Sequence, residues 1–185
     1  MRTAPSSTLA RHWIPERSLL TDVGLVIAFS LFTGLMAHIA IPLPFTPVPI
    51  TGQTFAVLLC GATLGARLGT ASMLAYITEG LLGLPVFAVA PGAASYGYLA
   101  GFVVAALVVG WFADRGWTKD VPHTVVAMVA GEIAIYVFGL LWLARFVPAS
   151  SVLALGLFPF LIGDAIKLAA AAEALPAGWR LSRSR

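Results

Sequence analysis

Long apolar blocks alternate with short polar, glycine-rich or proline-rich breaks along almost the whole chain. The first block, residues 23–41, is long enough to cross a ~30 Å hydrocarbon core as a helix rising ~1.5 Å per residue. It ends at Pro42, Pro44, Pro47 and Pro49. Their missing N–H groups favour an extended loop, held at the water interface or packed inside protein. Residues 53–82 would make a single helix of about 45 Å with Arg67 near its middle, too long for one crossing. The pattern predicts two short helices instead, 53–64 and 69–82, joined through residues 65–69. Short, glycine-interrupted helices of this kind sit beside substrate cavities in transporters. A neutral Gly/Pro loop at 83–94, with Pro91 and Gly92, leads to a fourth span at 96–113. Residues 114–122 form the most charged loop, 124–146 the fifth span, and 152–175 the sixth, stopped by Pro176. The predicted fold class is an all-α integral membrane protein of six transmembrane helices, the second and third short.

Composition points the same way. The chain has 185 residues, 59% hydrophobic and 10% charged, whereas water-soluble domains carry about 25% charged residues. One membrane domain at 21–178 fits, with tails at 1–20 and 179–185 and no room for a soluble catalytic domain. The N-terminal stretch is polar and basic and lacks an apolar core followed by a cleavage site, so no removed signal peptide is expected. Residues 1–17 read as a tail that is disordered or lies on the membrane surface. With six spans, Arg2, Arg11, Arg17, Arg67, Arg115, Lys119, Arg180, Arg183 and Arg185 share one side and only Arg145 lies on the other. That asymmetry makes both termini cytoplasmic. The isoelectric point near 9.4 is then an orientation signal with some attraction to anionic lipid, and nucleic acid is not an expected partner. The single Cys60 excludes an intrachain disulfide. No G-x-x-x-x-G-K-[S/T] pattern occurs, so the chain by itself does not couple ATP hydrolysis to anything.

The remaining chemistry lies in polar residues within apolar spans. Asp164 and Lys167 are three residues apart, on one face of the sixth helix. Either charge alone costs about 2.5–3.5 kcal/mol at the centre of a span, so the two are expected to pair, to bind a ligand, or both. They lie roughly 18–22 Å down that span at ~1.5 Å per residue, the floor of a pocket opening outward. The uncharged loops at the outer end are expected to fold over such a pocket. Glu79, near the outer end of the third helix, either reaches interfacial water or contacts a ligand. Glu132, near the middle of the fifth span, contacts substrate, pairs with Lys167, or is protonated. Gln53 caps the second helix or offers its amide to a ligand. Tyr96 and Tyr98 fall where interfacial aromatic belts occur, with Tyr98 the candidate to point inward. His38 reads as a satisfied interfacial histidine, since no second His or Cys stands at metal-binding spacing. Ser30 and Gly34 form a small-xxx-small pair suited to close helix approach. An intramembrane enzyme using Asp164 with Glu132 or His38 would need a nucleophile-and-base arrangement that the sequence does not offer, so no enzymatic activity and no cofactor are expected. A purely structural role for the Asp164–Lys167 pair stays open at this level.

The run Pro47-Val48-Pro49-Ile50-Thr51-Gly52-Gln53-Thr54-Phe55-Ala56-Val57-Leu58-Leu59 resembles the BioY family, the biotin-specific S components of energy-coupling factor transporters. The likeness continues through residues 61–69, Gly83-Leu84-Pro85-Val86-Phe87-Ala88 and Tyr98-Leu99-Ala100-Gly101-Phe102. It ends with Gly163-Asp164-Ala165-Ile166-Lys167, Leu175-Pro176-Ala177 and Trp179. The resemblance implies a six-helix S component in a bacterial or archaeal cytoplasmic membrane that captures biotin from outside. It also implies partners, a transmembrane coupling protein (T component) and two ATPase subunits that use the ATP. An S component for another small vitamin is the alternative within this class. Biotin's ureido ring would face Asp164 as acceptor and Lys167 as donor, with Glu79, Gln53 and Tyr98 as further substrate contacts. Where family members often carry a Thr-Gly-Gly-Tyr-like run near an arginine, this chain has Ala94-Ser95-Tyr96-Gly97-Tyr98 with no positive residue.

Overall fold

The structure, a computed structural model, describes residues 8–88 and 92–183; Arg2, Pro91 and Arg185, which the readings above include, lie outside the described residues. Helix α1 (Leu9–Trp13) precedes α2 (Leu19–Ala37), whose first turn is capped by the Ser18 side chain accepting from the Thr21 N–H. Strands β1 (Ala40–Ile41) and β2 (Ile50–Thr51) pair antiparallel, so the four prolines close a short hairpin. Its base is tied to α2 by the Gly52 N–H, which donates to the Met36 and Ile39 carbonyls. Thr46 at its tip donates to the Leu155 carbonyl at 2.7 Å. Thr46 and Val48 are buried while Pro42, Pro44 and Pro47 stay exposed, so the hairpin docks on the protein through the residues between its prolines.

Helices α3 (Gln53–Leu64) and α4 (Ala66–Leu81) are separated by Gly65 alone, at φ +85°. The break falls where the glycine pattern puts it, but α4 begins at Ala66, and Arg67 becomes an exposed residue of its first turn. A positive φ is cheap only for glycine, so one residue reverses the chain. Helices α5 (Tyr96–Asp114) and α6 (Val121–Leu143) follow, the latter capped by Asp120 accepting from the His123 N–H. Among the described residues, α2, α6 and the segment Ala93–Asp114 are long and apolar enough to cross a membrane, and α7 (Val152–Gly156) with α8 (Leu161–Arg183) would be a fourth, bent by 43°.

Two expectations at the end of the chain are corrected. The sixth span is not one helix ending at Pro176: it breaks at 157–160, around Pro159, and then runs through Pro176 to Arg183. Proline in a helix costs about 3 kcal/mol. Here Ala171, Ala172, Leu175 and Trp179 form a buried stripe at helical spacing, and that burial outweighs the lost hydrogen bond. The predicted tail at 179–185 is therefore helical through residue 183. Residues 9–12 of the N-terminal stretch dock on this helix, because Leu9 packs against Gly178 and the His12 and Trp179 rings lie 5.2 Å apart.

The contacts define two ends of the bundle. At one, α1, the Gly65 turn, the 115–120 connection and the end of α8 gather; Asp114 accepts from the Ala66 N–H and Lys119 lies over the Trp179 ring. At the other, the β-hairpin, the 83–95 connection and α7 meet, where Trp142 Nε1 donates to the Ala93 carbonyl.

Candidate functional site

The break before α8 puts Asp164 in that helix's first turn rather than mid-span, with its N–H bonded to the Phe160 carbonyl. A carboxylate there faces the positive end of the helix dipole. Lys167, one turn on, donates to Asp164 Oδ1 at 2.8 Å. Two residues from other helices complete the group. Thr54 on α3 donates to Asp164 Oδ1 at 3.1 Å and accepts from Lys167 Nζ at 3.0 Å. Tyr136 on α6 donates its hydroxyl to Asp164 Oδ2. Asp164 is buried and Lys167 partly so. A carboxylate has about four acceptor positions and an ammonium three donors. Three acceptor positions of Asp164 and two donors of Lys167 are used, so one of each remains.

Both side chains open onto a cavity at the hairpin end, with about 60 Å³ available to the centres of water-sized molecules. One water needs roughly 10–15 Å³ by that measure, so the space suits something larger. Leu99, Phe102, Ile135 and Phe160 give it apolar walls, and Val48, Pro49, Phe87 and Ala88 from the two uncharged connections line it too. Val48 and Ala88 are buried, so both connections pack into the protein.

Gln53 and Tyr98 also line this space, each with its polar group largely engaged. The Gln53 amide donates to the Tyr76 hydroxyl at 2.6 Å and accepts from Thr51, while Gly52 occupies the helix-cap position. Tyr98 points inward, and its hydroxyl donates to the Gly156 carbonyl at 2.8 Å, pinning α7 to α5. Tyr96 is exposed, as an interfacial belt residue would be. Glu79 is not among the residues lining the cavity; Ser30 of α2 donates to it at 2.8 Å across the α2–α4 contact. Gly34, the partner of Ser30 in the small-residue pair, packs against Val86 of a connection rather than against a helix. His38 Nδ1 lies 2.8 Å from the Gly34 carbonyl. Glu132 is buried behind the cavity wall and does not line it.

Sequence reasoning missed Thr54 and Tyr136. Thr54 adjoins Gln53 in the proline-glycine motif, and Tyr136 is one turn after Glu132 on α6. Only the meeting of α3, α6 and α8 shows that both converge on Asp164.

These features define a mostly helical membrane protein that encloses a polar-floored, apolar-walled cavity at one end of its bundle. The chain belongs to the BioY family, which it matches over residues 6–184. It is 36% identical over 156 residues to the probable biotin transporter BioY of Pyrococcus horikoshii, covering 81% of this chain and 91% of that protein. Identity to the biotin transporter BioY of Thermotoga maritima is 36% over 155 residues, 80% and 90% of the two chains. For the biotin transporter BioY of Rhizobium etli it is 32% over 167 residues, 83% and 88%. The fold matches the crystal structure of the S-component for biotin from an ECF-type ABC transporter with a TM-score of 0.78 at 24% identity, covering 92% of this chain and 96% of that one.

Proposed function

We propose that this protein captures biotin and passes it across a membrane as the substrate-binding S component of an energy-coupling factor transporter. The observation that carries the reading is the single free acceptor position on Asp164 beside the single free donor on Lys167, in two side chains that line the cavity. A cyclic urea presents an N–H and a C=O side by side and fits that pair. Charge-assisted bonds of this type contribute about 1.5–3 kcal/mol each. The thiophane ring and aliphatic chain would bury against Leu99, Phe102 and Phe160 at about 25 cal/mol per Å². Gln53 and Tyr98 shape the wall, with Gln53 retaining one amide N–H for a ligand. Glu79, bonded to Ser30, acts in this reading by joining α2 to α4 instead of by touching biotin.

The antiparallel α3–α4 pair and the bent α7–α8 unit, counted with α2, α5 and α6, support six crossings. The charge asymmetry supports cytoplasmic termini in a bacterial or archaeal cytoplasmic membrane, with the cavity opening outward. A coupling protein and two ATPases are the proposed partners, consistent with the absence of a nucleotide-binding motif from this sequence. Transport, and no enzymatic step, is what relatives with these names perform.

Titration of the purified protein in detergent with biotin and desthiobiotin tests the reading. Saturable binding of both is expected, because desthiobiotin keeps the cyclic urea, with biotin the tighter by its extra ring. No saturable binding of biotin overturns it.

A further inference from the structure

The interior around Asp164 and Lys167 holds one more ionisable group than that pair needs. Glu132 on α6 is 7% exposed, and neither of its carboxylate oxygens has a hydrogen-bond partner. It lies within electrostatic reach of Asp164 and Lys167. It also stands one helical turn before Tyr136, whose hydroxyl donates to Asp164. Two carboxylates thus share one ammonium, and the donors decide between them. Asp164 receives Lys167, Thr54 and Tyr136; Glu132 receives nothing. A buried carboxylate without donors is far more costly charged than protonated, so the proton belongs on Glu132.

Among the described residues, the groups facing Glu132 from the elements packed on α6 leave no other counter-ion. They are Asp164 and Lys167 from α8 and, through Tyr136, the Tyr98 phenol from α5. Helix α3 contributes Thr54 and no carboxylate or cation, and α7 has no ionisable side chain. Lys119, in the turn before α6, lies over Trp179 at the far end of the bundle, and His123 near the start of α6 bonds Asp120 there.

We propose that Glu132 is a proton-binding site coupled to the ligand site. Its proton leaves Lys167 free to serve Asp164 and the ligand, and loss of that proton to water gives Lys167 a rival counter-ion and weakens binding. The inference rests on the biotin reading above. Linkage is reciprocal, so biotin binding draws a proton onto Glu132. Across a membrane that is more acidic outside, capture is favoured outside and release inside.

Calorimetric titration of the full-length protein with biotin, in buffers of different ionisation enthalpy between about pH 6 and pH 9, tests this. Wild-type affinity is expected to fall with rising pH, towards about tenfold per pH unit, with net proton uptake on binding. Glu132→Gln is expected to lose the pH dependence and the uptake, and Glu132→Asp to keep both. Biotin binding with a flat pH profile and no uptake overturns the proposal while leaving biotin capture intact. A Glu132→Gln profile that follows the wild type also overturns it. No saturable binding at any pH defeats both readings together. Should Glu132→Gln fail to fold, the wild-type uptake and the Glu132→Asp profile still decide.

Discussion

The two ends of this bundle both use glycine to bring helices together, but only one of them keeps a cavity. At the end where α1 and the last turns of α8 gather, α3, α4 and α5 meet backbone to backbone. A Cβ on Gly61 would stand 2.8 Å from the Ala106 carbonyl oxygen, and one on Gly69 would stand 3.0 Å from Gly61 Cα. At the hairpin end α5 and α6 also meet closely, a Cβ on Gly101 standing 2.8 Å from Ile135 Cα, but a cavity lined by aromatic and polar side chains opens between this pair and α3 and α8. Lipid supplies no hydrophobic force to drive helices together, so close contact requires small residues that let backbones touch. Space survives where large side chains prop the helices and polar groups satisfy one another across the gap. Glycine contacts on either side of the cavity thus hold its walls in place.

The largest expected effect comes from breaking the polar end. Asp164→Ala should abolish biotin binding and destabilise the protein by about 3–5 kcal/mol, because Lys167 is left buried without its counter-ion. Lys167→Ala should abolish binding as well. The double variant should regain stability in a thermal melt without regaining affinity; near-normal affinity there would mean that the pair only fixes packing. Next in size, Gly61→Val should cost about 2–3 kcal/mol by overpacking the α3–α5 contact. Affinity per folded molecule, measured by titration, should stay unchanged, so a parallel loss of affinity would show that the two ends are not separable. Tyr136→Phe removes one donor from Asp164 and should weaken biotin about tenfold, near 1.4 kcal/mol, with little change in melting temperature.

The smallest effect lies on the exposed rim of the end without the cavity, at Asp120. The His123 side chain and backbone hold the Asp120 carboxyl below the usual carboxylate range. A depressed acid stabilises the fold above its unfolded value, about pH 4, and loses that contribution as pH falls through its lower folded value. Asp120→Asn keeps a helix cap and should flatten that portion of a melting-temperature profile.

Much of this architecture was legible because the signals are local. The Gly65 break between α3 and α4, the reach of α5 and the spacing of Asp164 and Lys167 follow from chain chemistry alone. Pro176 was misread because a proline's cost is local, whereas the burial of Ala171, Leu175 and Trp179 that overrides it is tertiary. Glu79 shows the same limit: its position near a helix end is visible in sequence, but the Ser30 hydroxyl that bonds it is not. Thr54 and Tyr136 carried no signal of their own, being ordinary residues until α3 and α6 bring them to Asp164.

By itself, then, the sequence determined that the chain lives in a membrane, that the chain breaks at Gly65 between α3 and α4, and that one carboxylate and one ammonium share a helix face. Periodicity, glycine and proline conformations and the cost of charge in lipid act within a few residues, so they can be read along the chain. Only the tertiary structure decided which acids face the cavity, which are spent on packing, and which carboxylate is left without a donor. Those outcomes depend on helices far apart in sequence meeting at hydrogen-bond distance.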